Sequence, residues 1–86
     1  MSAHYLVDWT DPISDTLTLW WAISTQPDAL VWARNGIQYL LASDPHKHGT
    51  RVAEGLFKLS LPPLQVYYSI DSPNRRVEIT HVVEAT

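Results

Sequence analysis

Cysteine is absent from the 86-residue sequence, and glycine (three), phenylalanine (one) and methionine (one) are scarce. Without cysteine there is no disulfide framework and no thiolate zinc site, and the composition fits a reducing compartment. Basic residues are also few: six Lys and Arg stand against nine Asp and Glu, a formal net charge of −3. Proteins that grip nucleic acid usually carry a basic surplus, because neutralising phosphates supplies most of their affinity. The totals therefore argue against a strong general attraction to RNA or DNA. No apolar run approaches the roughly 18–20 residues that span a bilayer. Met1-Ser2-Ala3-His4 has neither the basic region nor the apolar stretch of a secretory signal. A soluble cytoplasmic protein that meets no membrane is expected.

Hydrophobic residues are plentiful, at 45% with four tryptophans, so the chain is not of the disordered class. Its length allows one domain, spanning residues 1–86. A domain of this size buries only about 60–65% of the surface its unfolded chain exposes, so nearly every element must contribute to the core. No repeat, low-complexity tract or linker interrupts it.

Tyr5-Leu-Val-Asp-Trp9 alternates as a strand does, with Tyr5, Val7 and Trp9 on one face, Asp8 and Thr10 on the other, and Leu6 the exception. Asp11-Pro12 then reads as an N-cap followed by proline at the first helical position. Ile13, Leu17, Trp20 and Trp21 follow helical spacing up to Thr25-Gln26-Pro27. Thr25 and Asp28 resemble a capping box for a second helix, whose stripe is Leu30, Ala33, Ile37, Leu40 and Leu41. Gly36 within it costs up to about 1 kcal/mol and suggests a close approach by another helix. Ser43-Asp44-Pro45 ends that helix, and His46 to Thr50 form a polar loop.

Three strand candidates follow: Val52 to Leu59, Leu64 to Ile70 and Val77 to Val83. Leu61-Pro62-Pro63 and Asp71-Ser72-Pro73-Asn74 supply the turns between them. In the middle strand Leu64, Val66, Tyr68 and Ile70 face one way and Gln65, Tyr67 and Ser69 the other. In the last, Val77, Ile79 and Val83 share a face that also takes His81. The expected fold is α+β: an N-terminal strand, then a two-helix hairpin packed on a mostly antiparallel sheet completed by a C-terminal three-stranded meander.

Several residues carry chemistry. Cleaving RNA needs a group to activate the 2′-hydroxyl, another to protonate the leaving oxygen, and cationic stabilisation of the phosphorane. His81 is a candidate acid or base, Glu54 a base, and Arg51 with Lys58 the cations. The plain alternative for His81, from its alternation, is a partly buried, hydrogen-bonded core histidine. A bulge near the chain end would change that parity. Arg75 and Arg76, beside the turn, suit an acidic partner or simply a soluble hairpin end. His46-x-His48 offers two metal ligands without a third, so no metal or other cofactor is expected. Asp11 reads as a cap, and Asp15 as a favourable first-turn charge. Trp20 and Trp21 cannot both face inward without a wide buried stripe, and Trp32 lies off the stripe of its helix. An exposed tryptophan would mark a surface for a partner, including a second copy of the chain.

The element order and several local strings resemble the RelE/ParE superfamily of type II toxin–antitoxin systems, whose members include plasmid stabilisation proteins. The strings are Leu40-Leu41-Ala42-Ser43-Asp44-Pro45 closing the second helix, Gly49, Glu54-Gly55-Leu56, Pro63 through Asp71, and Arg76-Val77-Glu78-Ile79. The resemblance runs from about Tyr5 to Val83, with its distinctive part in the second half. It implies a toxin held by a cognate antitoxin. ParE-like members act on DNA gyrase, and RelE-like members cut mRNA on the ribosome. In RelE-like members the middle strand often opens with an arginine; Gln65 stands there in this sequence and cannot neutralise a phosphate. Lys47 and Arg51, with Lys58 further on, match the basic loop after the second helix. His81 is the candidate for the His or Tyr of the last strand. A binding surface would then draw on Lys47, Arg51, Lys58, Gln65, Tyr67, Arg75 and Arg76. The C-terminal helix or basic tail of several members is not expected here, where the sequence reads Val83-Glu84-Ala85-Thr86. Toxic action through protein contact is expected ahead of efficient RNA cleavage, with a non-toxic orphan binding module as a further alternative.

Overall fold

The computed structural model describes residues 4–84; Met1-Ser2-Ala3 and Ala85-Thr86, which bear on the leader and tail readings, lie outside them. The elements are β1 (Leu6–Trp9), α1 (Asp11–Ile23), α2 (Pro27–Ser43), α3 (Pro45–His48), β2 (Thr50–Ala53), β3 (Leu56–Leu61), β4 (Leu64–Asp71) and β5 (Arg76–Glu84). They form a five-stranded sheet of order β1-β5-β4-β3-β2 with the helices on one face. Every pairing is antiparallel except β1 with β5, which is parallel. The α+β architecture agrees with the sequence pattern.

One strand boundary does not. Val52 to Leu59 is two strands rather than one, broken at Glu54-Gly55, so the meander has four strands. Gly55 has φ +74°, a left-handed conformation that only glycine adopts without strain, which is why the chain reverses there. The helix starts also move. Thr10, not Asp11, is the N-cap of α1; its hydroxyl donates to the Ile79 carbonyl of β5 and accepts from no N–H of the helix. Asp11 lies within the first turn and Asp15 beyond it, so the dipole argument applies to Asp11. The N-cap of α2 is Gln26, with no side-chain cap, so Thr25 and Asp28 do not form a capping box.

The core lies between sheet and helices. Ile13 of α1 and Leu30, Ala33, Ile37 and Leu41 of α2 pack on Val7 and Trp9 of β1, Leu64, Val66 and Tyr68 of β4, and Val77 and Ile79 of β5. Complete burial of a Leu, Ile or Val side chain stabilises by roughly 1.5–3 kcal/mol. Trp9 is anchored further: its indole N–H donates to Gln38 Oε1 at 2.7 Å, and the Arg34 guanidinium lies 4.8 Å over its ring. Gly36 does admit a close neighbour, but that neighbour is Leu61 of β3, not another helix.

Tyr68 ties the sheet to the helical layer. Its side chain is fully buried, and its hydroxyl donates to the Pro45 carbonyl at 2.7 Å. A methyl group at Gly49 would land on that hydroxyl, so the position accepts only glycine for want of space. Burial, reinforced by the Asp44 carboxylate, pushes the Tyr68 pKa up from 10.0 to about 12. The folded state therefore favours the protonated phenol, and this contribution is intact below pH 10 and lost as pH rises towards 12. Tyr68→Phe is expected to cost about 1–3 kcal/mol in denaturant unfolding, from the unpaired Pro45 carbonyl. The variant should also lose less stability than the parent between pH 10 and 12.

Candidate functional site

Alternation in β4 sends Gln65, Tyr67 and Ser69 to the sheet face that no helix covers. The register lines up neighbours across that face. Lys58 of β3 stands opposite Tyr67, Tyr67 opposite His81 of β5, and Thr50 of β2 opposite Lys58. A row Thr50–Lys58–Tyr67–His81 thus crosses four strands.

His81 reaches this row through a bulge. Tyr68 pairs with Ile79 and Tyr67 with His81, so Thr80 is the extra residue, and its hydroxyl donates to the Tyr67 carbonyl at 3.3 Å. The bulge reverses the parity of everything after it. His81 and Val83 are exposed, whereas Val82 packs against the core. His81 is therefore not a core histidine, and Val83 is not on the buried face. The His81 ring meets Tyr67 edge-on, with centroids 6.3 Å apart and planes at 89°.

Gln65 extends the cluster. Its amide nitrogen donates to the Tyr67 hydroxyl at 2.9 Å, and its carbonyl oxygen accepts from Ser60 Oγ at 2.8 Å. With the Tyr67 oxygen accepting from Gln65, the phenolic proton is free to point outward. Lys58, Tyr67 and His81 together present hydrogen-bond donors and one fixed positive charge to whatever lies on the face. The row supplies a cation with two proton-transfer groups, the minimum for acting on an ester, and equally a cradle for a carboxylate.

The other expected site residues lie elsewhere. Arg51, on the edge strand β2, pairs with Phe57 and so falls out of the Lys58 row; Glu54 is in the β2–β3 turn. Neither is brought to His81. Lys47 is exposed on α3, its backbone N–H donating to Asp44 Oδ1. Arg75 and Arg76 occupy the far end of the sheet. Arg75 adopts φ 51°, an uncommon conformation for a side-chain-bearing residue, while its carbonyl accepts from the Leu6 N–H at 2.8 Å. Arg76 pairs with Asp8, and Glu78, Asp71 and Ser69 surround it. This end of the face is acidic on balance. His46 contacts Ser72 Oγ at 3.2 Å and packs edge-on against Tyr5 and Phe57. Among the described residues no three His, Asp or Glu side chains converge on a metal position.

Ser60 and Thr80 were missed by the sequence pattern. The signal for Thr80 was the adjacent pair Val82-Val83, which strict alternation cannot bury together. Ser60 carried none. Trp21 and Trp32 are both exposed, at 52% and 62%, so α1 and α2 each present a tryptophan to the outside.

No family model matches the sequence, and no curated protein does. A solved structure does: a chain in the crystal structure of the toxin–antitoxin complex RelBE2 from Mycobacterium tuberculosis. The two superpose with a TM-score of 0.78 over 96% of this chain and 100% of that chain, at 21% identity. The chain has a RelE-like fold. The resemblance carried by its second-half strings therefore holds for the whole fold, helices included. On this RelE-like sheet Gln65 is tied sideways to Ser60 and Tyr67. No helix is long and apolar enough to cross a membrane.

Deleting Thr80 should remove the bulge while leaving His81 outward and Val82 inward. The expected cost is about 1 kcal/mol for the lost hydrogen bond to Tyr67. Nuclear Overhauser contacts between the Tyr67 and His81 rings should persist, and their disappearance would contradict the register described.

Proposed function

We propose that the chain is a cytoplasmic toxin of the RelE/ParE type, held inactive by a cognate antitoxin and acting on its target through protein contact. The observation that carries this is the full-length likeness to a chain of a toxin–antitoxin complex, read together with the charge of the open face. That face holds Lys58 as its one unpaired cation among the described residues, while Arg76 is engaged by Asp8 and flanked by Glu78 and Asp71. Following a nucleic-acid backbone takes several cations, because each neutralised phosphate adds its own increment of affinity. A protein surface needs only complementary patches, and the mixed charge of this face suits one. DNA gyrase is the target class that ParE-like action implies. Trp32 and Tyr39, exposed on the outer side of α2, leave room for the antitoxin or for a second copy.

A second reading, the ribosome-dependent mRNA endonuclease, is favoured by one observation: Lys58, Tyr67 and His81 share a row, with the Tyr67 oxygen accepting from Gln65 and its own proton left free to donate. In that reading Tyr67 and His81 divide the acid and base roles and Lys58 steadies the phosphorane. Arg51 and Glu54 would serve only in binding, at the sheet edge.

Tightly controlled expression separates the readings. Under the first, induction arrests growth while labelled amino acids are still incorporated into protein, and His81→Ala and Tyr67→Phe remain toxic. Under the second, incorporation stops within minutes, and either substitution restores it by tenfold or more. Harmless expression of the wild-type chain would remove both and leave the orphan binding module.

A further inference from the structure

Between α1 and α2, on the side away from the open sheet face, lies a groove of about 370 Å³ lined by Ser14, Leu17, Thr18, Trp21, Leu30, Val31 and Arg34. Leu17, Trp21, Leu30 and Val31 make its walls apolar. The hydroxyls of Ser14 and Thr18 are already spent on the Trp9 and Ser14 carbonyls. Arg34 is different. It is half-buried against the Trp9 ring, and among the described residues no carboxylate pairs with it. A guanidinium beside apolar walls, lacking an anionic partner, complements a ligand with a hydrocarbon body and one negative head.

The extent of the groove sets the size of the occupant. On α1 the other exposed apolar residues lie on the far side: Leu19 and Ile23 are each two positions beyond groove residues, about 200° around the helix. Trp32 and Tyr39 of α2 do not line the groove. The apolar surface at the groove is thus confined, whereas a stable protein interface takes about 800 Å² from each partner. We propose that this groove binds a small apolar monocarboxylate, its carboxylate paired with Arg34 and its hydrocarbon laid on Leu17, Trp21, Leu30 and Val31. The site is independent of the toxin reading, since it uses none of the open-face residues.

Octanoate and its neutral analogue 1-octanol are suitable probes, titrated into the full chain and followed by backbone and side-chain amide shifts. A ligand of about ten heavy atoms should bind in the millimolar range. Octanoate should move the signals of Leu17, Trp21, Val31 and the Arg34 side chain saturably, at one molecule per chain, with octanol at least tenfold weaker. Arg34→Met should abolish the preference for the acid. Because Arg34 also covers Trp9, Val31→Asp at an exposed position gives a second variant, expected to weaken octanoate tenfold or more while the remaining spectrum is unchanged. The proposal is overturned if neither probe binds saturably, as when only a protein partner fills the groove. It is also overturned if octanol binds as tightly as octanoate, or if both variants bind octanoate like the parent.

Discussion

The ladder between β4 and β5 determines both surfaces of the molecule at once. Along β4, Leu64, Val66 and Tyr68 are driven into the helical layer, and the same pleat must then turn Gln65 and Tyr67 outward. No choice of side chain on one face is free of consequence for the other. The partner strand obeys the same parity only as far as Ile79, where Thr80 adds one residue and reverses it. Were Thr80 paired regularly instead of bulged, Val83 would be buried in place of Val82, and His81 would lie under the helices. The bulge therefore reconciles a core that wants Val77, Ile79 and Val82 with an outer row that ends in His81.

Tyr68 and Tyr67, neighbours on one strand, show how strongly face decides chemistry. Tyr68 loses water, keeps its proton and spends its hydroxyl on the Pro45 carbonyl, which fixes α3 against the sheet. That hydroxyl is a structural bolt, and the space it fills is why Gly49 has no side chain. Tyr67 keeps contact with solvent, accepts from Gln65, and stands beside a lysine and a histidine. The residue type is the same; the solvent, the partners and the possible function differ.

How much of this was legible in the sequence follows from which signals were local. The helices of the hairpin were legible because their apolar residues recur at helical spacing, and Ile13, Leu30, Ala33, Ile37 and Leu41 are buried as that spacing requires. The faces of β4 were legible for the same reason, with period two. The break at Glu54-Gly55 is hidden in a run of strand-forming residues, because the positive φ of one glycine leaves the alternation on either side intact. A glycine inside a helix, as at Gly36, points to a close neighbour, but nothing local says that the neighbour is Leu61, a strand residue twenty-five positions away, and not another helix. The site was harder still. Lys58, Tyr67 and His81 were each singled out, but their meeting depends on strand order and on a bulge. Arg51 and Glu54 were grouped with His81 by chemical type alone, and the register separates them.

The distribution of charge extends this argument from fold to action. With six basic residues in all, what matters is how many remain uncommitted where a ligand would lie. Arg34 caps Trp9 on the helical side, Arg76 answers Asp8, Arg75 is in the turn, and Lys47 and Arg51 are at the margins. Lys58 alone faces outward in the central row. A single cation flanked by neutral donors can orient one anionic group well, but it gains little along a polymer of phosphates, where affinity grows with each charge neutralised. Gln65 sharpens the contrast, because it strengthens the donor character of Tyr67 without adding charge. The open face thus carries one uncommitted lysine in its central row and, at the far end, an arginine outnumbered by Asp8, Asp71 and Glu78.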